Sequence, residues 1–242
     1  MKVNFYLPFI IGCLSAQSSN LAKNSPIAVL SSIENKVVKE SMDLSKFDPS
    51  WVDSLNLSLP CYEVPVPKRT MRLPNAPRAY RNGTHRGIDF FANWGTPVRS
   101  VADGVVIRSD QNYEEVPADF RENLLRSTTK VGSTPSDIFN SVLLGKSVFI
   151  DHGFDLIPGF RTISIYAHLS HIENGVVPGA VIKRGELMGK SGNTGMREST
   201  IGSRSGSHLH WEMILQKGKE EIYLGKDMPN PELYDMLLRI FN

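Results

Sequence analysis

From Gly87 onward, short apolar runs alternate with Gly, Pro or Asn. "GIDFFA", "TPVRSVADGVVIRSD", "SVFIDHG", "RTISIYAHLS", "AVIKRGELMGKSG" and "SHLHWEMIL" each span only a few residues between turn formers. That pattern predicts short strands joined by tight turns, a β-rich fold. Two stretches break it. Residues 111–146 are longer and more polar, and their "PADFRENLLR" has helical texture, with Pro117 near its start and Asp119 as a candidate cap. We read 111–146 as a helical insertion between two strands. The second stretch is "NPELYDMLLRIF", which sets Leu233, Met236, Leu237 and Ile240 at helical spacing behind an Asn230 cap and Pro231. It predicts a short C-terminal helix within 226–242.

The chain before this region has a different texture. Residues 17 to about 60 are polar with scattered apolar positions, and "SIENKVVKESMDLSKF" offers at most a short helix. "PCYEVPVPKRTMRLPNAPR" is proline-rich and should be extended and irregular. The segment 17–73 therefore reads as a linker or accessory region ahead of a domain at 74–225. Residues 1–16 read as an export signal, with a positive "MK" followed by the apolar "VNFYLPFIIG". "IIGC" resembles a lipoprotein signal, in which Cys13 would carry the lipid anchor, whereas "LSAQ" offers cleavage after Ala16. The apolar run is too short for a permanent membrane helix. The expected location is the cell envelope, periplasmic or lipid-anchored, or the protein is secreted.

A chain of 242 residues is long enough to bury a sizeable core. Lys+Arg 27 against Asp+Glu 25 gives a net charge of +2, too balanced for a nucleic-acid footprint. There are 2 cysteines, and losing Cys13 to a lipid or to cleavage leaves Cys61 alone, so no structural disulfide is expected.

The candidate chemistry lies in the histidines. Of 6, five fall in or beside strand-like segments. "THRGID" sets His85 four residues before Asp89. "HLH" sets His208 and His210 on one face of a strand, and Glu212 shares that face. "IYAHL" contributes His168 and "IDHG" contributes His152. His-x-x-x-Asp with a downstream His-x-His can supply three oxygen and nitrogen ligands to zinc with a position left open, the arrangement of a catalytic site. Taken singly, each motif is commonplace. Glu212 reads either as a partner of a ligating histidine or as an exposed strand carboxylate. His152 reads as a structural or groove-edge residue, and His171 as a solvated one. "GELMGKS" has three residues between its glycines where a phosphate-binding loop needs four.

The order of the blocks adds specificity. "GTHRGIDFFANWGTPVRSVADGVV", "SVFIDHG", "ISIYAHLS", "VIKRGELMGKSGNTG" and "GSHLHWEM" together resemble the successive blocks of lysostaphin-type, LytM-domain zinc metallopeptidases, over roughly residues 74 to 216. The resemblance implies a mainly antiparallel β-sheet crossed by a groove, and cleavage of peptide bonds in peptidoglycan stem peptides or crosslinks. It also implies zinc held by His85, Asp89 and His210. His168 and His208 would then stand beside the water at the metal and assist catalysis, orienting it, stabilising the oxyanion and passing a proton to the leaving amine. The 111–146 insertion and the long "MRESTIGSRSGS" at 196–207 depart from the compact family pattern. They bear on substrate preference, as groove walls, more than on chemistry. The alternative function is a non-catalytic envelope protein that binds wall or activates an amidase through the same groove. A third is a zinc peptidase of ordinary proteins or peptides.

Overall fold

The computed structural model of the chain describes residues 44–241. The expected export signal at 1–16, the Cys13 anchor and the first part of the 17–73 region lie outside the described residues. In chain order the strands are β1 (Pro77–Arg78), β2 (Gly83–Thr84), β3 (Ile88–Phe90), β4 (Pro97–Arg99), β5 (Gly104–Ser109) and β6 (Val148–Asp151). They continue with β7 (Arg161–Ala167), β8 (Leu169–Ile172), β9 (Val181–Ile182), β10 (Leu187–Ser191), β11 (Leu209–Lys217) and β12 (Glu220–Tyr223). The helices are α1 (Ala118–Val131), α2 (Ser136–Ile138), which runs into a π turn at Phe139–Leu143, α3 (Arg197–Thr200) and α4 (Glu232–Ile240). No described helix is long and apolar enough to cross a membrane.

Every strand pair is antiparallel, and the fold is mainly β. The large sheet runs β12-β11-β7-β6-β5-β9, with β3 also paired to β11, and β4-β10-β8 form a smaller one. Hairpin pairing of sequence neighbours, which carries little loop-closure cost, accounts for β6–β7 and β11–β12, whereas β7–β11, β3–β11, β5–β9, β4–β10 and β8–β10 join strands that are not consecutive in the chain. β11, like β3 and β7, is not half-solvated: its first seven residues are all buried. On one face Trp211 packs edge-on against Phe241 at 5.2 Å. On the other lie His210, Glu212 and Ile214; Arg86 covers Glu212, and the 111–146 insertion packs on Ile214. Leu125, Phe139, Leu143 and Leu144 of the insertion close over Ile165, Ala167 and Ile214. Each such side chain contributes about 1.5–3 kcal/mol relative to exposure, so the insertion is part of the core and not a loose appendage.

Both helices depart from their expected starts. α1 begins at Ala118 with Pro117 at the cap position, and Asp119 sits in the first turn, where its charge complements the helix dipole, instead of capping. α4 begins at Glu232 after Pro231, with no side-chain cap from Asn230. The part of the 17–73 region that is described is packed. Phe47, Val52, Leu57 and Leu73 are buried, Trp51 stacks on Phe160 at 4.8 Å, and the Leu57 amide donates to the Ile240 carbonyl at 2.7 Å. Cys61 is buried and free, and burial pushes its thiol up to about 12.

His152 belongs to this framework. It is buried, its Nδ1–H donates to the Asp103 carbonyl at 2.6 Å, and its Nε2 accepts from the Ser164 hydroxyl at 2.7 Å. Burial lowers its pKa below the ordinary 6.5, against the pull of the Asp103 carbonyl and Asp151. The unfolded chain therefore binds a proton here that the folded chain resists. Stability from this group is complete above about pH 6.5 and is lost as pH falls from there toward the folded pKa. Thermal melts from pH 7.5 to 5 should fall more steeply for the wild type than for His152→Gln; equal slopes would refute the assignment.

Candidate active site

Strand register assembles the site. In the β3–β11 ladder Asp89 is directly opposite His210, and in the β7–β11 ladder His210 is opposite Ala167, the residue before His168. His85 arrives on the turn between β2 and β3. That turn presses against β11 so closely that a Cβ on Gly87 would stand 2.3 Å from the Trp211 carbonyl, which is why glycine occupies the centre of "HRGID". His208 precedes β11 and bridges to Gly192. His168 marks the point where the chain leaves the large sheet for the small one. Its φ of 60° is left-handed, a conformation unusual for histidine and concentrated at functional sites.

The three expected ligands converge. Asp89 Oδ1 lies 2.9 Å from His85 Nε2 and 2.8 Å from His210 Nδ1, and those two nitrogens are 3.0 Å apart. The two remaining expected histidines adjoin them. The His168 ring is 4.9 Å from His208 and 5.7 Å from His210, and His208 Nε2 is 3.5 Å from Asp89 Oδ1. All five are buried or nearly so and line one cavity. His171 lies apart, exposed on β8 beside Glu173.

Each imidazole is oriented by a group that only accepts. His85 Nδ1–H donates to the Leu73 carbonyl at 2.8 Å, His168 Nδ1–H to Thr194 at 2.8 Å, and His208 Nδ1–H to Gly206 at 2.7 Å. His210 Nε2–H donates to Glu212 Oε1 at 2.8 Å. In His85, His168 and His208 the other nitrogen presents its lone pair, and His210 Nδ1 does so once its second proton is displaced. Glu212 is therefore a buried partner of His210, at 0% exposure, and the exposed alternative is excluded. Arg86 lies 3.0 Å from its other oxygen, and Arg78 holds Asp89 Oδ2 at 2.9 Å, so Oδ1 is left to the histidines.

The electrostatics follow from this packing. Burial alone would raise the Asp89 carboxyl, but His85, His208 and His210 outweigh it and hold the group well below the usual carboxylate range. Burial would likewise raise Glu212, yet its bond to His210 and the Arg86 charge hold it low. Burial disfavours charge on His210, but Asp89 and Glu212 reverse this and raise it to about 9. Burial lowers His85 despite Asp89. Burial, with His208 and His210 adding to it, holds His168 well below 6.5 and so neutral. The site thus attracts one positive charge into the triangle of His85, Asp89 and His210.

A divalent cation meets that demand. Ligand atoms of the three residues lie within 4.8 Å of one another. Two imidazole nitrogens and one carboxylate are ordinary zinc donors, and three protein ligands leave a coordination position open. The donor set and its oriented lone pairs fit zinc. Arg78, Arg86 and the carbonyls of Leu73, Thr194 and Gly206 escaped the sequence reading. A backbone carbonyl carries no sequence signal, and the arginines stand outside any motif.

Comparison with known proteins agrees with this picture. The sequence profile of peptidase family M23 matches residues 129–222, which hold His168, His208 and His210; His85 and Asp89 lie ahead of the matched stretch, before the insertion. A Buchnera aphidicola protein described as an "Uncharacterized metalloprotease" is 29% identical over 141 residues, 58% of this chain and 26% of its own. The peptidoglycan DD-endopeptidase ShyA of Vibrio cholerae is 27% identical over 168 residues, 67% of this chain and 29% of its own. The chain thus spans between a quarter and a third of the length of these two relatives. Among solved structures, the catalytic domain of lysostaphin from Staphylococcus simulans is 20% identical, covers 72% of this chain and 90% of its own, and superposes with a TM-score of 0.37. Over residues 129–222, then, the chain matches peptidase family M23.

Proposed function

We propose that this chain is a zinc endopeptidase that hydrolyses peptide bonds in the stem peptides or crosslinks of peptidoglycan. The observation that carries this is the convergence of His85, Asp89 and His210 on one point, with His168 and His208 beside it, all on the wall of one cavity. The family match over residues 129–222 and the similarity to a peptidoglycan endopeptidase support the substrate class. His85, Asp89 and His210 would hold the ion. When bound, it lowers the pKa of water toward neutrality and polarises a carbonyl. His168, neutral and pinned through Nδ1 to Thr194, can take a proton at Nε2 and return it to a leaving amine. His208, pinned through Nδ1 to Gly206, can orient water by accepting its hydrogen bond at Nε2 and, once protonated there, steady a developing oxyanion. Glu212 holds His210 in the tautomer that offers Nδ1.

A substrate in the wall places the protein in the envelope, consistent with the export signal expected at residues 1–16. Digestion of purified peptidoglycan, followed by mass analysis of the fragments, tests the proposal. New peptide termini should appear with zinc and vanish with a chelator. Intact crosslinks after incubation with zinc-loaded protein would sink it and favour a binding or activating role.

A further inference from the structure

The cavity beside the histidines has a volume of about 590 Å³, the size of a small-ligand pocket. α1, the π turn and residues 195–198, which run into α3, wall it, and its charge is uneven. Five arginines line it against three carboxylates. Of these acids, Asp89 is taken by Arg78 and Glu122 by Arg197, the latter at 3.5 Å. Glu198, on α3, makes no ion pair among the described residues.

Two of the arginines are placed where cations seldom sit. Arg81 and Arg121 are each only 7% exposed, and neither makes an ion pair among the described residues. Arg121 Nε donates to the Gly195 carbonyl at 3.1 Å, and no other acceptor meets its guanidinium among the described residues. Arg81 donates to the Thr84 carbonyl, lies over the Phe139 ring at 4.7 Å and is attracted by Tyr80 and the buried Glu212 carboxylate, so Arg121 is the less compensated of the two. A guanidinium keeps its charge at any working pH, and burying it without a counter-ion is costly. Packing does not require it: Arg121 shares the buried face of α1 with Leu125 and Thr128, where an apolar side chain would serve. An anion entering the cavity would relieve both cations, and a carboxylate fits the guanidinium fork with two parallel bonds.

We propose that Arg121, with Arg81, binds a carboxylate of the substrate peptide, so that the insertion selects acidic peptides for the adjacent histidine site. This rests on the peptidase reading above. It goes beyond that reading by giving the insertion a chemical task.

Two probe pairs test it on the full zinc-loaded chain: a crosslinked muropeptide with free carboxylates against its amidated form, and a glutamate-containing synthetic peptide against its glutamine counterpart. Binding and cleavage are measured for each. The acidic muropeptide should bind about tenfold or more tightly than the amidated one, with the difference in KM and not in kcat. Arg121→Gln should abolish the preference and Arg121→Lys should keep part of it. The comparison on the unsubstituted chain needs no variant, so it decides even if Arg121→Gln fails to fold. Absence of acidic preference in both pairs overturns the proposal, as does a preference that Arg121→Gln leaves intact. Preference for the acidic synthetic peptide with no binding of either muropeptide sustains the pocket and removes peptidoglycan as the substrate. Inorganic phosphate is the control: phosphate binding that needs Arg121, alongside charge-blind peptide binding, assigns the pocket to a free anion and overturns the substrate assignment.

Discussion

His210→Ala should leave the protein without bound metal and without hydrolysis of peptidoglycan. His210 is the hub of the triangle: its Nδ1 stands 2.8 Å from Asp89 and 3.0 Å from His85, and its far edge is fixed by Glu212. Removing it takes away one of three donors and leaves Glu212, fully buried, facing an empty space beside Arg86. Metal analysis after dialysis should fall from about one ion per chain to near zero, and lysis to background. Glu212→Gln is the instructive contrast, because it keeps all three donors and loses only the charged partner. Groups of this kind typically weaken metal affinity about 10–100-fold, so stoichiometry should return at high zinc. Retention of one tightly held ion by His210→Ala would show that the ligand set is wrong.

The second large effect separates catalysis from metal binding. His168→Ala should retain zinc yet lower kcat by about 10²–10⁴-fold, the usual worth of a positioned acid or base. Burial and its two histidine neighbours hold His168 neutral, and neutrality is what a base near physiological pH requires. Its left-handed backbone, fixed by the His168 amide donating to the Leu144 carbonyl at 2.9 Å, aims the ring at the cluster. Unchanged kcat with intact metal would remove it from the reaction. Loss of metal would make it a ligand.

The sequence was informative where the chemistry depends on short-range spacing. His-x-His fixes two side chains on one strand face because strand side chains alternate. The pair His85 and Asp89 brackets a glycine that only close backbone approach explains, and both residues do meet in space. The strand segments, the insertion with its helix and the C-terminal helix were legible from apolar runs and turn formers. The helix starts were not: Asp119 and Asn230 were expected as caps, but at both helices a proline stands in the cap position without a side-chain cap bond.

The sequence by itself determined the candidate residues, their order and the β-rich character of the chain, because these follow from local periodicity and side-chain chemistry. Only the tertiary structure decided what surrounds them. Glu212 could be exposed or buried until the turn at Arg86 and Gly87 closed against it. The carbonyls that orient the four histidines come from residues 73, 194, 206 and, as a carboxylate, 212, and no residue type announces that role. Arg121 reads as an ordinary surface charge on a helix, and becomes a buried cation only because α1 folds down against the loop at Gly195. Burial is set by what packs over a residue from far along the chain, and that information is not contained in any local window of sequence.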